Sequence, residues 1–118
     1  MYIKHVLIMN IGMTANGFDL TKEMVLNSID SFEHQPLIYN KKKEFKDYIE
    51  ENISNYKNEI AIGFIAGNIE VTDIEVFADI IIKDEYKNLW NGKYDNWCID
   101  YPIEDNKNKF RLNSIEVF

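Results

Sequence analysis

The side chains with the chemistry for covalent or acid-base work are few: one thiol, Cys98, and two imidazoles, His5 and His34. A cysteine becomes a nucleophile when a base or a cation stabilises its thiolate, so Cys98 with His34 is the pairing that a peptidase would use. Cys98 lies between Trp97 and Ile99 in an apolar stretch, where a buried, inert thiol is the structural alternative. His34 stands in Glu33-His34-Gln35-Pro36, at the end of an expected helix, where a charged ring complements the helix C-terminus without any catalysis. His5 falls within an expected strand and reads as structural. If Cys98 and His34 form a catalytic pair, iodoacetamide labels Cys98 at neutral pH and His34→Ala abolishes the labelling.

Other chemistries have weaker footing. Gly12 and Gly17 do not have the spacing of a phosphate-binding glycine loop. No paired-histidine metal motif occurs, and one cysteine permits neither an internal disulfide nor a multi-cysteine zinc site. The carboxylates Asp73, Glu75 and Asp79 have strand spacing and read as a solvated sheet face. The expectation is therefore no cofactor and no metal.

Composition narrows the partners. The 118 residues carry 13 Lys plus Arg against 20 Asp plus Glu, a formal charge of −7. Arg111 is the one arginine, and the basic run Lys41, Lys42, Lys43 is followed at once by Glu44. Binding to phosphates needs a basic face that displaces counterions, so direct nucleic-acid binding is not expected. Clustered carboxylates, either Asp73, Glu75 and Asp79 or Glu44, Asp47, Glu50 and Glu51, would suit a small acidic inhibitor seated in a host protein's basic groove. No apolar run reaches the ~18 residues that span a bilayer. Met1 to Ile11 lacks the basic start and small-residue cleavage site of a signal peptide, so a cytoplasmic protein is expected. The counts of 18 Ile, 14 Asn and 12 Lys suggest an AT-rich coding sequence.

The elements that must position these groups read as one α+β domain. Tyr2 to Met9 is an apolar strand, and Asn16-Gly17 marks a turn. Val25, Ile29 and Phe32 recur at i, i+4, i+7, which predicts a helix from Thr21 to Phe32, capped by Asp19 or Thr21. Pro36 to Tyr39 is extended. Phe45, Tyr48, Ile49, Ile53 and Tyr56 predict a second helix over Lys43–Tyr56. Ile60 to Ala66, a Gly67-Asn68 turn and Glu70 to Ile82 read as a strand, a hairpin turn and a long partner strand. Asp84 caps a short helix whose Tyr86, Leu89 and Trp90 share a face, with Gly92 past its end. Tyr94 to Tyr101 and Phe110 to Phe118 are strands joined by a polar loop from Pro102 to Asn108. The expected architecture is a mixed or mainly antiparallel sheet, able to curl into a barrel, with two or three flanking helices.

The order of segments resembles a known family. Thr14-Ala15-Asn16-Gly17-Phe18, a helix ending Ser31-Phe32, and Pro36-Leu37-Ile38-Tyr39-Asn40 look like the opening of the head-maturation (prohead) proteases of tailed phages. Ile60-Ala61-Ile62-Gly63-Phe64-Ile65 is similar to that family's next strand. Leu89 to Tyr94, Trp97-Cys98-Ile99 and Phe110 through Phe118 are similar to its helix, Gly turn, Ser-bearing strand and final strand. Across residues 14–118 the resemblance puts Cys98 at the family's nucleophilic Ser. It puts Asn40 or Lys41 near the family's catalytic His, and neither is an imidazole. It thus implies a protease-like fold without the catalytic pair. The role implied is head assembly or scaffolding for a phage or prophage, with a capsid-type or host protein as partner and self-association as a further option.

Overall fold

The computed structural model describes residues 1–40 and 59–118. The helix expected over Lys43–Tyr56, the basic run at 41–43 and the carboxylates Glu44, Asp47, Glu50 and Glu51 lie outside the described residues. Among the described residues eight strands run in chain order: β1 (Tyr2–Asn10), β2 (Gly12–Met13), β3 (Asp19–Leu20), β4 (Pro36–Asn40), β5 (Glu59–Val71), β6 (Glu75–Ile82), β7 (Tyr94–Asp100) and β8 (Arg111–Val117). Six of them form one sheet in the order β1-β6-β5-β4-β8-β7, and β2 pairs with β3 as a separate ribbon. β4 and β8 run parallel and the other neighbours antiparallel, so the sheet is mixed. Pro36 opens β4, the position in a strand paired on both sides where a missing N–H costs least.

The sheet curls, and its two edge strands, β1 and β7, approach one another where the Asn10 side-chain amide donates to the Tyr94 hydroxyl. The concave face holds the core. On β6, Val76, Ala78, Ile80 and Ile82 are buried, and Leu37, Tyr39, Ile62, Ile65, Leu112, Ile115 and Val117 join them from the neighbouring strands. Burying each large aliphatic side chain contributes about 1.5–3 kcal/mol. Gly63 is required by the close passage of β5 over β6: a Cβ there would lie 2.0 Å from the Ile81 carbonyl oxygen.

Helix is sparser than periodicity implies. The helix expected over Thr21–Phe32 is α1 (Lys22–Leu26) followed by a single 3-10 turn, Ile29–Ser31. Thr21 caps α1, its hydroxyl oxygen accepting the Met24 N–H at 3.1 Å. The break has a cause in two serines. The Ser28 hydroxyl donates to the Met24 carbonyl at 2.6 Å and accepts the Phe110 N–H at 2.9 Å. The Ser31 hydroxyl donates to the Ser28 carbonyl at 2.8 Å and accepts the Leu112 N–H at 3.0 Å. Together they fasten the start of β8 to the helical segment, satisfying buried N–H groups that an unbroken helix would leave orphaned. Val25 and Phe32 are fully buried as the apolar stripe requires, whereas Leu26 is exposed. The short helix after β6 is a 3-10 segment, Asp84–Leu89, and Lys83 rather than Asp84 occupies its cap position. Among the described residues the helical segments are these three short ones, and the flanking helix expected over Lys43–Tyr56 lies outside them.

The hairpin joining β5 and β6 also differs from expectation. Gly67 and Asn68 do adopt positive φ, +137° and +53°, but as irregularities within β5, which continues to Val71. The turn lies at Thr72–Glu75, where the Thr72 hydroxyl oxygen accepts the Ile74 N–H at 3.3 Å and the Glu75 N–H at 2.9 Å. Ile69 and Val71 resume the apolar run after Asn68, and continued pairing with β6 wins over the local turn preference. No helix among the described residues is long and apolar enough to cross a membrane.

Candidate functional site

Two constellations stand out. The larger is a groove of about 700 Å³ between β7 and the Thr14–Phe18 loop of the β2–β3 ribbon. The loop is held by its own bonds. The Thr14 hydroxyl donates to the Asn16 side-chain oxygen and accepts the Phe18 N–H, and Gly17 takes φ +88° to close the turn. Phe18 is carried over β7 and meets Trp97 and Tyr101 edge to face, with ring centroids 6.0 and 5.0 Å apart. Tyr94 completes the aromatic lining, and Asn16 and Asn96 add amides.

Sequence spacing hides this cluster. Tyr94 and Trp97 are three apart, and in a regular strand they would face opposite sides. The register of β7 on β8 slips between Tyr94 and Asn96, so Asp95 is an extra residue that restores both rings to one groove. Tyr101, just past the end of β7, lines the same groove. The readable signal was the aromatic density of the Tyr94–Tyr101 segment. The slip that collects the rings is a property of strand pairing.

Cys98 lines this groove and is partly exposed. Its Sγ lies 3.7 Å from the Glu116 carboxylate across the β7–β8 pair. His34 lies elsewhere, with φ +71° and its backbone N–H donating to the Ile65 carbonyl. Its ring contacts Phe64 and, at 3.6 Å, the neighbouring Glu33. His5 stacks on Phe77 at 4.1 Å with Nδ1 3.1 Å from Glu70 Oε2. The structure thus gives the thiol and the two imidazoles separate partners. Among the described residues no group of three or more His, Cys, Asp and Glu is placed to hold a metal ion.

The second constellation centres on Asp79, and it corrects the reading of Asp73, Glu75 and Asp79 as one solvated face. Asp79 is 7% exposed. By strand alternation it faces the convex side of β6, where both neighbouring strands bulge: β1 at Lys4-His5 and β5 around Gly67-Asn68. One carboxylate oxygen accepts the His5 N–H at 3.0 Å, and the other accepts the Tyr2 hydroxyl and the Asn68 amide, each at 2.7 Å. These bonds, from Asn68 first and then from Tyr2 and His5, hold the carboxyl down at about 2, against an ordinary 3.8, although burial opposes the shift. The same bond raises the pKa of the Tyr2 hydroxyl, because ionisation would set a phenolate against the carboxylate. Asp79 therefore pins two positive-φ residues, His5 and Asn68, and with them the curl of the sheet. Asp73 sits instead at the hairpin turn, exposed and paired with Lys22 at 2.9 Å, which lowers its pKa.

No family model, curated protein or solved structure matches the chain.

Proposed function

We propose that the protein acts by binding another protein through the groove between β7 and the Thr14–Phe18 loop. In its narrower form the partner is a structural protein of a phage or prophage head, and the role is assembly or scaffolding rather than peptide cleavage. The observation that carries the reading is the groove itself: four aromatic rings and two amides gathered along an edge strand of a curled sheet. Aromatic side chains supply large contact area at small entropic cost, and amides at their margin give direction. The narrower form draws on the resemblance over residues 14–118. Two of the stretches that carry that resemblance, Thr14–Phe18 and Trp97–Ile99, meet in this groove. The inhibitor alternative draws less support, since Asp79 is buried and Asp73 is paired with Lys22 at the β5–β6 turn, so these carboxylates do not make one acidic face.

The test is site-specific photo-crosslinking in the native host, with benzoylphenylalanine replacing Asn96 in the groove or Lys83 away from it. A discrete adduct from position 96 and none from 83 supports the reading, and a head structural protein in that adduct supports its narrower form. Equal labelling from both positions, or none from 96, overturns it.

A further inference from the structure

We infer that Asn91-Gly92 is a modification site, where water converts the Asn91 amide to aspartate and isoaspartate and thereby unties the connector before β7 from Phe118. The inference stands apart from the protein-binding reading above. Three observations carry it.

The first is chemical. Asn91-Gly92 and Asn16-Gly17 are the two Asn-Gly pairs of the chain. Asparagine is a thermolabile side chain, and a following glycine exposes it most, because no Cβ shields the next backbone nitrogen. That nitrogen loses its proton to solvent base and attacks the side-chain Cγ. The N–Cγ bond forms, the Cγ–Nδ2 bond breaks, and Nδ2 takes a proton from solvent and leaves as ammonia. Water then adds to either carbonyl of the resulting succinimide and reopens the ring. Addition at Cγ gives aspartate. Addition at the main-chain carbonyl gives isoaspartate, with the chain continuing through Cγ. Nothing is oxidised or reduced.

The second is that the fold treats the two pairs differently. Both pairs are exposed, and a Cβ added at either glycine would meet no atom within 4 Å, so access does not separate them. Hydrogen bonds do. The Gly17 N–H donates to the Thr14 carbonyl at 3.0 Å, and the Asn16 side-chain oxygen accepts the Thr14 hydroxyl. The nucleophile is held in its protonated form, and its target is held in a closed turn. Among the described residues nothing accepts the Gly92 N–H. The Asn91 amide donates through Nδ2 to the Phe118 carbonyl at 3.2 Å, which leaves Cγ open to attack. Asn27, followed by the small Ser28, is guarded like Asn16: the Ser28 N–H donates to the Val25 carbonyl at 3.0 Å.

The third is what the amide holds. Asn91 lies between the 3-10 segment Asp84–Leu89 and β7. Through Phe118 it ties this connector to the end of β8, beside the Tyr94–Val117 pair. An ionised carboxylate has no proton to donate to the Phe118 carbonyl, so the tie is lost on conversion. Isoaspartate also lengthens the main chain by a methylene just ahead of Tyr94, whose hydroxyl accepts the Asn10 amide where the two edge strands meet.

The experiment incubates the full chain at physiological temperature in mildly alkaline buffer, with a parallel sample unfolded in urea. Peptide mapping by mass spectrometry reads conversion at Asn91 and Asn16 separately. The expected result in the folded chain is conversion at Asn91 about tenfold faster than at Asn16, the factor that a held N–H and a held amide supply together. In urea the two rates converge, because the local sequences then offer the same chemistry. Asn91→Gln removes the fast phase, since its longer side chain must close a larger ring. The converted chain separates on anion exchange by its added negative charge, and its Tm is expected to lie about 2–6 °C below the parent's. Asn91→Asp is expected to show part of that drop without incubation. Equal folded rates, or faster conversion at Asn16, overturn the site. So does an Asn91 that stays intact in the folded chain while the urea sample converts. A rate difference that persists in urea overturns the argument from the fold, and a converted chain as stable as the parent overturns the untying.

Discussion

The Tyr2 hydroxyl donates to Asp79 at 2.7 Å across the β1–β6 pair, and on this contact the convex side of the sheet is fastened. The same carboxylate reaches β5 through Asn68, so one residue of β6 ties the irregular stretches of both neighbours. Bulges increase local twist, and a sheet that must bring β1 round toward β7 needs that twist.

Acid stability follows with a definite sign. Asp79 ionises at about 2 in the folded chain and near its ordinary 3.8 when unfolded. Its contribution is fully present above the unfolded value and is lost as pH falls from there through about 2. Asp79→Asn is expected to flatten the fall in Tm between those limits, as read by circular dichroism. Tyr2 has the opposite sense: its raised pKa favours the folded state below the ordinary 10.0, and this is lost as pH climbs through the raised value. Tyr2→Phe should therefore shallow the alkaline limb. Unchanged acid and alkaline limbs in the two variants would mean that the contact contributes nothing.

Gly63→Ala should destabilise the sheet by about 1–3 kcal/mol or more, as overpacking does. The added Cβ meets a backbone oxygen rather than a side chain that can turn away. Gly17→Ala meets no atom within 4 Å but must hold φ +88°, at a cost of about 1–2 kcal/mol. Urea unfolding separates the two, and a Gly63→Ala chain as stable as the parent would contradict the close β5–β6 passage.

Ser28→Ala should cost about 1–3 kcal/mol, because the buried Phe110 N–H then has no acceptor. Ser28→Thr keeps the hydroxyl and serves as the control for the lost bond. A double-mutant cycle with Ser31→Ala reports whether the two serines act together in fastening β8 to the helical segment. Additive losses would show two independent staples.

Cys98 is expected to alkylate with iodoacetamide at a rate that His34→Ala does not change. The thiol's hydrogen-bond partner is Glu116 and the imidazole's contacts are Glu33 and Phe64. A rate that falls sharply on removing His34 would restore the Cys98–His34 pairing as a working site.

Much of the secondary structure was legible in the chain. Alternation and β-branched runs marked the principal strands β1, β4, β5, β6, β7 and β8, because a half-buried strand must show its period wherever it sits. The positive φ of Gly17, Gly67, Asn68 and Gly92 was likewise written in residue type. Helix length was not legible: Val25 and Phe32 supply a correct stripe, but the competing partners of Ser28 and Ser31 lie some eighty residues away on β8.

Local sequence therefore determined which segments are extended and which apolar faces go inward, since each depends on a residue and its near neighbours, and it marked the left-handed glycines but not the positive φ of His5, His34, Glu104 and Asp105. Only the tertiary structure decided that Gly67-Asn68 is a bulge rather than a hairpin, that Asp79 is buried, and that Tyr94, Trp97, Tyr101 and Phe18 share one groove. The reason is common to all three. Register between strands is a long-range choice, and a slip of one residue moves a side chain from one face of a sheet to the other.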